Sequence, residues 1–266
     1  MSTLQQSEAD GYVRLRHIYK SFQQDLVTEV TLFNDFNLTV QKGEFVSVVG
    51  SNGSGKTTIL NILCGSVPVD SGSVFVNGRQ ISSRKEYQNA KFIGRVFQDP
   101  SKGTCPELTI LENMALADNK GKRFGFYAGI NQKRIDFYRT QLRLLKLGLE
   151  DKLYLPVANL SGGQRQALAL LLATMTPIDL LILDEHTAAL DPRSSAAVME
   201  LTEEIVREKK LTALMVTHNL KFALDYGSRL IMMHRGSIAA DAGGHEKCAL
   251  QMKDLTDQFN EMMLAC

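Results

Sequence analysis

Gly50-Ser51-Asn52-Gly53-Ser54-Gly55-Lys56-Thr57-Thr58 stands between two stretches of different character. Before it, Phe45-Val46-Ser47-Val48-Val49 is a short β-branched run bounded by Gly43 and Gly50, the pattern of a buried strand. After it, Ile59-Leu60-Asn61-Ile62-Leu63 continues as a helix. Strand, glycine loop, Lys-Thr, helix is the order in which a phosphate-binding P-loop is built. Gly50, Gly53 and Gly55 let the backbone curl so that several N–H groups point at one anion. The helix start adds its positive dipole end. Ser51, Asn52, Ser54 and Thr58 belong to the same candidate nucleotide cradle. Lys56 supplies a point charge for β- and γ-phosphates, and the Thr57 hydroxyl can join a Mg²⁺ shell. The plain alternative is a glycine turn before a helix, and it loses ground as the rest of the chain is read.

Composition sets the outer limits. The 266 residues suffice for one large domain or two small ones with a sizeable core. A hydrophobic content of 44% and a charged content of 22% are ordinary for a soluble globular protein. The formal net charge of +1 gives no global pull toward nucleic acid or anionic lipid. Met1 to Gly11 is polar and lacks the basic-then-apolar pattern of a secretory signal. The greasiest stretch, Ala167 to Met175, is about half of what a membrane span needs. Cys64, Cys105, Cys248 and Cys266 form no Cys-x-x-Cys and have no His at ligand spacing. That argues against a zinc site or a disulfide framework and fits a reducing, cytosolic compartment.

Along the chain, Val13 to Ile18 alternates apolar and polar residues, as a half-buried strand does. Val30 to Phe33 and Phe36 to Val40, split by Asn34-Asp35, read as an antiparallel strand pair. Val74 to Val76 is a strand ending in the Asn77-Gly78 turn, and Phe92 to Phe97 is another running into Gln98-Asp99-Pro100. From about residue 105 to 176 the character is helical. Ile135, Tyr138, Leu142, Leu145 and Leu149 recur at three- and four-residue spacing and predict one apolar helix stripe. Lys120 to Gly129 reads as an exposed, solvated loop. The pattern then reverts to α/β: strands at Leu180 to Leu183 and Ala213 to Val216, a helix over Ser194 to Lys210, and a hairpin from Arg229 to His234 and Gly236 to Ala240. Met252, Leu255, Phe259 and Met262 predict a closing amphipathic helix. A helical insert therefore sits between two halves of an α/β core.

Two further stretches carry chemistry. Leu180-Leu181-Ile182-Leu183 ends in Asp184-Glu185. In a P-loop fold a carboxylate there can reach the Mg²⁺ beside Thr57, and the next residue is free to deprotonate a water. An Asp-Glu pair after a strand is also common in plain loops. Ser161 is a good N-cap for the apolar helix that follows, and the bare Gly162-Gly163 pair before Gln164 exposes N–H groups to an anion. A plain capped helix is the alternative, although capping alone does not call for Gly-Gly-Gln.

With Leu160-Ser161-Gly162-Gly163-Gln164 the chain resembles the ATP-binding cassette ATPases, whose signature stands here unchanged. The resemblance spans residues 13–241, with the motifs in family order. It implies a single α/β P-loop domain with an antiparallel β subdomain and a helical subdomain at about 100–176, followed by a helical extension over 242–266. It implies that Gln98 contacts Mg²⁺ and the attacking water, that Glu185 is the catalytic base, and that His218 meets the γ-phosphate. Ser161, Gly162, Gly163, Gln164 and Asp191 then serve a shared nucleotide site across a head-to-tail dimer. Phe22 matches the adenine-stacking aromatic, although family members often have Tyr there, and Tyr19 is a rival. Asp184-Glu185 is followed by His186 where most of the family has Pro. That either adjusts a turn or puts a titratable ring beside the carboxylates.

The resemblance thus implies an ATP-hydrolysing subunit, peripheral on the inner face of the membrane, that powers a separate permease. Asp-Glu-His-Thr-Ala-Ala-Leu-Asp-Pro, with Ile93 to Pro100, is similar to a bacterial subgroup of importers. Those accompany a permease of the branched-chain amino-acid type and a lipoprotein-like solute-binding protein, with aromatic amino acids among the cargoes. A soluble cassette serving iron–sulfur cluster assembly is the alternative. DNA-repair relatives need a long coiled coil between Gln98 and the signature, for which there is no room here. Translation-factor relatives carry two cassettes, and this chain has one.

Overall fold

Two burial patterns sort the strands of this chain into two sheets. The computed structural model describes residues 11–23, 29–122 and 129–257. Its strands are Val13–Gln23 (β1), Glu29–Val40 (β2), Phe45–Gly50 (β3), Ser71–Val76 (β4), Arg79–Gln80 (β5), Ile93–Val96 (β6), Leu180–Asp184 (β7), Thr212–Val216 (β8), Arg229–His234 (β9) and Ser237–Gly243 (β10). β1 and β2 alternate buried and exposed residues and belong to an antiparallel sheet of order β2-β1-β4-β5. β3 and β8 are buried at every residue and lie inside the second sheet, of order β10-β9-β3-β8-β7-β6. All neighbours in it are parallel except the edge pair β9–β10. Strands buried on both faces are what a parallel sheet requires.

Each central strand feeds two cores by the parity of its side chains. Leu181 and Leu183 of β7 face the core built with the helices Ile110–Asp118, Ile135–Arg143, Gly162–Thr174 and Pro192–Glu208. Leu180 and Ile182 face the other core, with β1, β2, β4 and the helix Lys56–Cys64. The antiparallel sheet and the helical insert thus lie on opposite faces of one parallel sheet.

Three expectations need correction. Asn34-Asp35 is not a turn: β2 runs straight through it and pairs with β1 instead. Phe33 and Phe36 are three residues apart, so a regular strand would send them to opposite faces. A bulge with Asp35 at φ 59°, facing His17 at φ 52°, returns both rings to the core, 4.8 Å apart. The apolar stripe from Ile135 stays one buried face, but its helix stops at Arg143, and Lys146 and Gly148 take left-handed backbone before Leu149. Lys120 is not simply solvated, since it is half-buried and donates to the Ile93 carbonyl at 3.4 Å. Residues 123–128 of that loop lie outside the described residues.

The Asn77-Gly78 turn between β4 and β5 has positive φ at both positions, as a type I′ hairpin needs. Residues 252–257 are helical, and Leu255 is fully buried against Val49, Ala223, Leu230 and Met232. One leucine buried this way contributes about 1.5–3 kcal/mol. Phe259 and Met262 lie outside the described residues. Among those residues no helix is long and apolar enough to cross a membrane.

Candidate functional site

Ligands of open parallel sheets sit beyond the carboxyl ends of the strands. Here β3 ends in the glycine loop, β7 in Asp184-Glu185, β8 leads through Thr217 to His218, and β6 leads through Phe97 to Gln98. One edge of one sheet therefore gathers segments from positions 50 to 218 of the chain.

The loop is built for close backbone approach. A Cβ at Gly50 would lie 2.2 Å from the Met233 carbonyl oxygen, and one at Gly55 would lie 2.7 Å from the Phe33 ring. Gly55 also has φ 102°, a conformation costly for any residue with a side chain. The Ser54 carbonyl accepts from Gly236 N–H at 3.1 Å, which ties the loop to the β9–β10 turn. Lys56 is buried, and its ammonium donates to the carbonyls of Gly50 at 2.9 Å and Ser51 at 2.8 Å. Burial pushes its pKa below the usual lysine range, with the Glu185 charge opposing.

Two clefts open on this edge. One, of about 400 Å³, is lined by Phe22, Val30, Leu32, Asn52, Gly53, Gly55, Lys56, Thr57, Thr58, Glu185 and His218. The other, of about 500 Å³, shares Thr57 and Glu185 and adds Arg95, Gln98 and Asp184. His218 Nε2 is 2.8 Å from Glu185 Oε1. Glu185 itself has φ 48°, a left-handed conformation unusual for a residue with a side chain, and its N–H donates to Val216 at 3.0 Å. Phe22 lies directly across from Val30, and the Lys20 ammonium sits 5.2 Å from its ring centre while bonded to Asp70 at 2.6 Å. Tyr19 pairs with Ser71 on the other side of β1 and lines neither cleft.

This donor set fits both groups that the loop calls for. Tight glycines and buried Lys56 make a cradle that only a bare backbone can form, and it suits phosphate oxygens. Thr57, Gln98 and Asp184 offer hard oxygen ligands of the kind Mg²⁺ takes. Among the described residues no group of three or more His, Cys, Asp or Glu can hold a metal alone. Mg²⁺ held by few protein ligands and completed by phosphates needs no more than that.

The remaining candidates lie elsewhere. Ser161, Gly162, Gly163, Gln164 and Asp191 line neither cleft. Ser161 caps its helix by accepting from Gln164 N–H at 3.3 Å, and Ser161 N–H donates back to Gln164 Oε1 at 3.1 Å. Capping therefore does use this glutamine. Cβ atoms at Gly162 and Gly163 would lie 3.2 Å from Leu190 and 3.1 Å from Ser194, so the bare pair also serves packing. Asp191 caps the Pro192–Glu208 helix, and hydrogen bonds from Ser194 and Arg193 hold its carboxyl below the usual range. His186 turns away from the carboxylates. Its Nε2 is 3.1 Å from Thr202 Oγ1, which itself donates to the Val198 carbonyl, so the ring is the donor. Full burial pushes its pKa down to about 4, and it does not titrate beside Glu185 near neutrality.

Two residues near the site escape a reading by motif. Arg95 pairs with Asp184 at 2.7 Å, and its only signal in the sequence is a charge inside an apolar strand. Gln166, fully buried, donates to the Phe97 carbonyl at 2.9 Å and so ties the signature helix to the residue before Gln98.

A P-loop nucleotide-binding ATPase is the class that this edge defines. The model of the family described as ABC transporter matches residues 33–188. The chain is 43% identical over 247 residues to the tyrosine transport ATP-binding protein of Clostridioides difficile (strain R20291), covering 93% of this chain and 98% of that one. It is 34% identical over 216 residues to the phosphonates import ATP-binding protein PhnC of Lactococcus lactis subsp. cremoris (strain SK11), covering 80% and 87%. A dimeric post-hydrolysis structure of the ATP-binding cassette MJ0796 with ADP and Pi superposes with a TM-score of 0.73 at 28% identity, covering 87% of this chain and 98% of that one. The chain belongs to the ABC transporter family and is its ATP-hydrolysing, nucleotide-binding subunit.

Proposed function

We propose that this subunit drives import of a small amino-acid-type solute, an aromatic amino acid foremost, through a separate permease. The reading of the site rests on one observation: Lys56, Thr57, Gln98, Asp184, Glu185 and His218 line clefts at one sheet edge, with Glu185 and His218 2.8 Å apart. Lys56 and the loop amides hold the phosphates, and Phe22 stacks on adenine. Glu185 takes the proton of the attacking water, and His218 orients that carboxylate. Thr57, Gln98 and Asp184 would hold Mg²⁺, which when bound offsets charge on the phosphates.

Ser161 to Gln164 and Asp191 act on the nucleotide of a second copy, in a head-to-tail dimer. The permease takes a groove of about 410 Å³ lined by Phe97, Leu116, Ala117, Ala169 and Leu172 beside the loop after Gln98. Leu116 there is 53% exposed, an apolar side chain suited to an apolar partner. The subunit is then peripheral on the inner face of the membrane, and a solute-binding protein delivers the cargo outside. The 43% identity to a tyrosine transport ATPase supports the cargo class.

Reconstitution of this chain with candidate permeases of the branched-chain amino-acid type tests the reading. Uptake of labelled tyrosine should require ATP and compete with phenylalanine more than with putrescine or phosphonate. ATP-driven uptake that ignores aromatic amino acids would exclude the cargo, and absence of any stable permease complex would exclude the transport role.

A further inference from the structure

Asp184 does not stand free at the end of β7. Arg95 on the neighbouring parallel strand donates from Nη2 to its Oδ2 at 2.7 Å, and the two side chains are only 13% and 16% exposed. The guanidinium is held from behind by the Phe97 ring, whose centre lies 4.7 Å from the guanidinium carbon. We infer that Arg95 is the resident counter-ion of Asp184, keeping the divalent-metal affinity of the site low until nucleotide phosphates join it. This rests on the proposed role of Asp184 in holding the metal.

Stability alone gives Arg95 no reason to be there. A buried guanidinium carries a large desolvation cost, and its Nε is buried with no partner. A buried ion pair replaced as a whole by apolar side chains of similar volume is often neutral or stabilising. The charge is therefore better explained by what it faces.

The second carboxylate is partnered as well, since Glu185 lies 2.8 Å from His218 Nε2 and interacts with the Lys56 charge. A divalent ion arriving alone meets two carboxylates that are already partnered, one of them by a cation that cannot lose its proton. Arriving with ATP or ADP, the ion brings phosphate charges that outweigh the opposing guanidinium. Metal and nucleotide would then load together, and Asp184 would not be occupied between cycles by a bare cation.

Titration of the full chain with Mn²⁺, free ion being read by electron paramagnetic resonance, tests this without turnover. In the absence of nucleotide, Arg95→Met and Arg95→Gln should each bind Mn²⁺ about tenfold or more tightly than the parent, since a repelling charge within a few ångströms is gone. Arg95→Lys keeps the charge and should stay near the parent. Adding Asp184→Asn to Arg95→Met should abolish the gain. Unchanged or weaker Mn²⁺ binding by folded Arg95→Met and Arg95→Gln overturns the inference. So does an equal gain in Arg95→Lys, which would make the effect one of packing. The underlying site reading is tested separately by Asp184→Asn with ADP present. If that variant binds Mn²⁺·ADP like the parent, Asp184 is not a metal residue and both ideas fall. If it binds more weakly while Arg95→Met shows no gain, only the counter-ion role falls.

Discussion

The carboxyl edge of the parallel sheet and the start of the Gly162–Thr174 helix both carry phosphate-seeking sequence, yet they are built differently. At the sheet edge, side chains from four strands line shared clefts, and Glu185 and His218 already face each other. At the helix start, Ser161 and Gln164 satisfy one another, the glycines pack on Leu190 and Ser194, and nothing from the P-loop is adjacent in either cleft. One region is a nearly complete site and the other is a finished surface with bare backbone on it. In the proposed head-to-tail pair that surface would meet the nucleotide of a second copy.

The comparison breaks first at Glu185. Glu185→Gln keeps size and hydrogen bonding but removes the base, so turnover should fall ~10²–10⁴-fold. ATP should still bind, and an ATP-loaded dimer should accumulate on a sizing column. Hydrolysis near the parental rate would remove Glu185 from the chemistry and leave the sheet edge as a binding site only.

Next in size is the helix start. Gly162→Asp points a carboxylate at phosphates across the pair, and loss of such a donor surface should cost ~10²–10³-fold in hydrolysis. Its Cβ would meet only the mobile end of Leu190 at 3.2 Å, so the fold should tolerate it. Binding of ATP at its own P-loop should persist. Mixed with Lys56→Ala chains, which lack the P-loop charge, it should regain activity, because one of the two composite sites is then intact. Mixed dimers that form and stay inactive, or hydrolysis by a strictly monomeric Gly162→Asp chain, would end the division between the two regions.

The same contrast explains what was legible in the sequence. Motifs at strand ends translate directly into place, because a parallel sheet delivers every carboxyl end to one edge. Gly50, Lys56, Asp184 and Glu185 could therefore be placed from their flanking strands, whereas Gln98 and His218 were singled out by the family resemblance and lie at the ends of strands of the same sheet. Contacts set by tertiary packing could not. Arg95 on Asp184 and Gln166 on Phe97 join positions 89 and 69 residues apart, and no local pattern marks either pair. The bulge at Asp35 was hidden because Asn-Asp also suits a turn, and only the shared burial of Phe33 and Phe36 decides between them. The early end of the helix at Arg143 was hidden too, since the stripe keeps its face in the core without staying helical.

A smaller effect sharpens the sheet-edge half. Phe22→Ala should weaken ATP by ~1–3 kcal/mol, the range for base–aromatic stacking, in calorimetry of otherwise folded protein. Tyr19→Ala should change it little, since Tyr19 faces Ser71 rather than the cleft. Lys20 and Asp70 brace the ring of Phe22, so Asp70→Asn should give a weaker version of the same loss. The reverse order for the two aromatics would move the adenine platform to the far side of β1.

The smallest effect belongs to His186, which sits at the seam between the two regions, one residue past Glu185 and bonded to the helix that Asp191 caps. Its pKa is about 4 in the fold against an ordinary value of 6.5. The unfolded chain therefore binds a proton, as pH drops below about 6.5, that the folded chain refuses until about 4. Above that window the group contributes nothing to the pH dependence, and within it stability falls as pH falls. Linkage gives a loss of about 1 kcal/mol between pH 7 and pH 5.5 from this group alone. His186→Gln keeps a donor for Thr202 and cannot titrate, so urea unfolding of that variant should lack this part of the slope. Hydrolysis near neutral pH should be little changed, because the ring is neutral there and faces away from Glu185. A variant with the parental pH slope would mean that His186 is protonated in the fold. A variant whose activity profile shifted with pH would put the ring back beside the carboxylates.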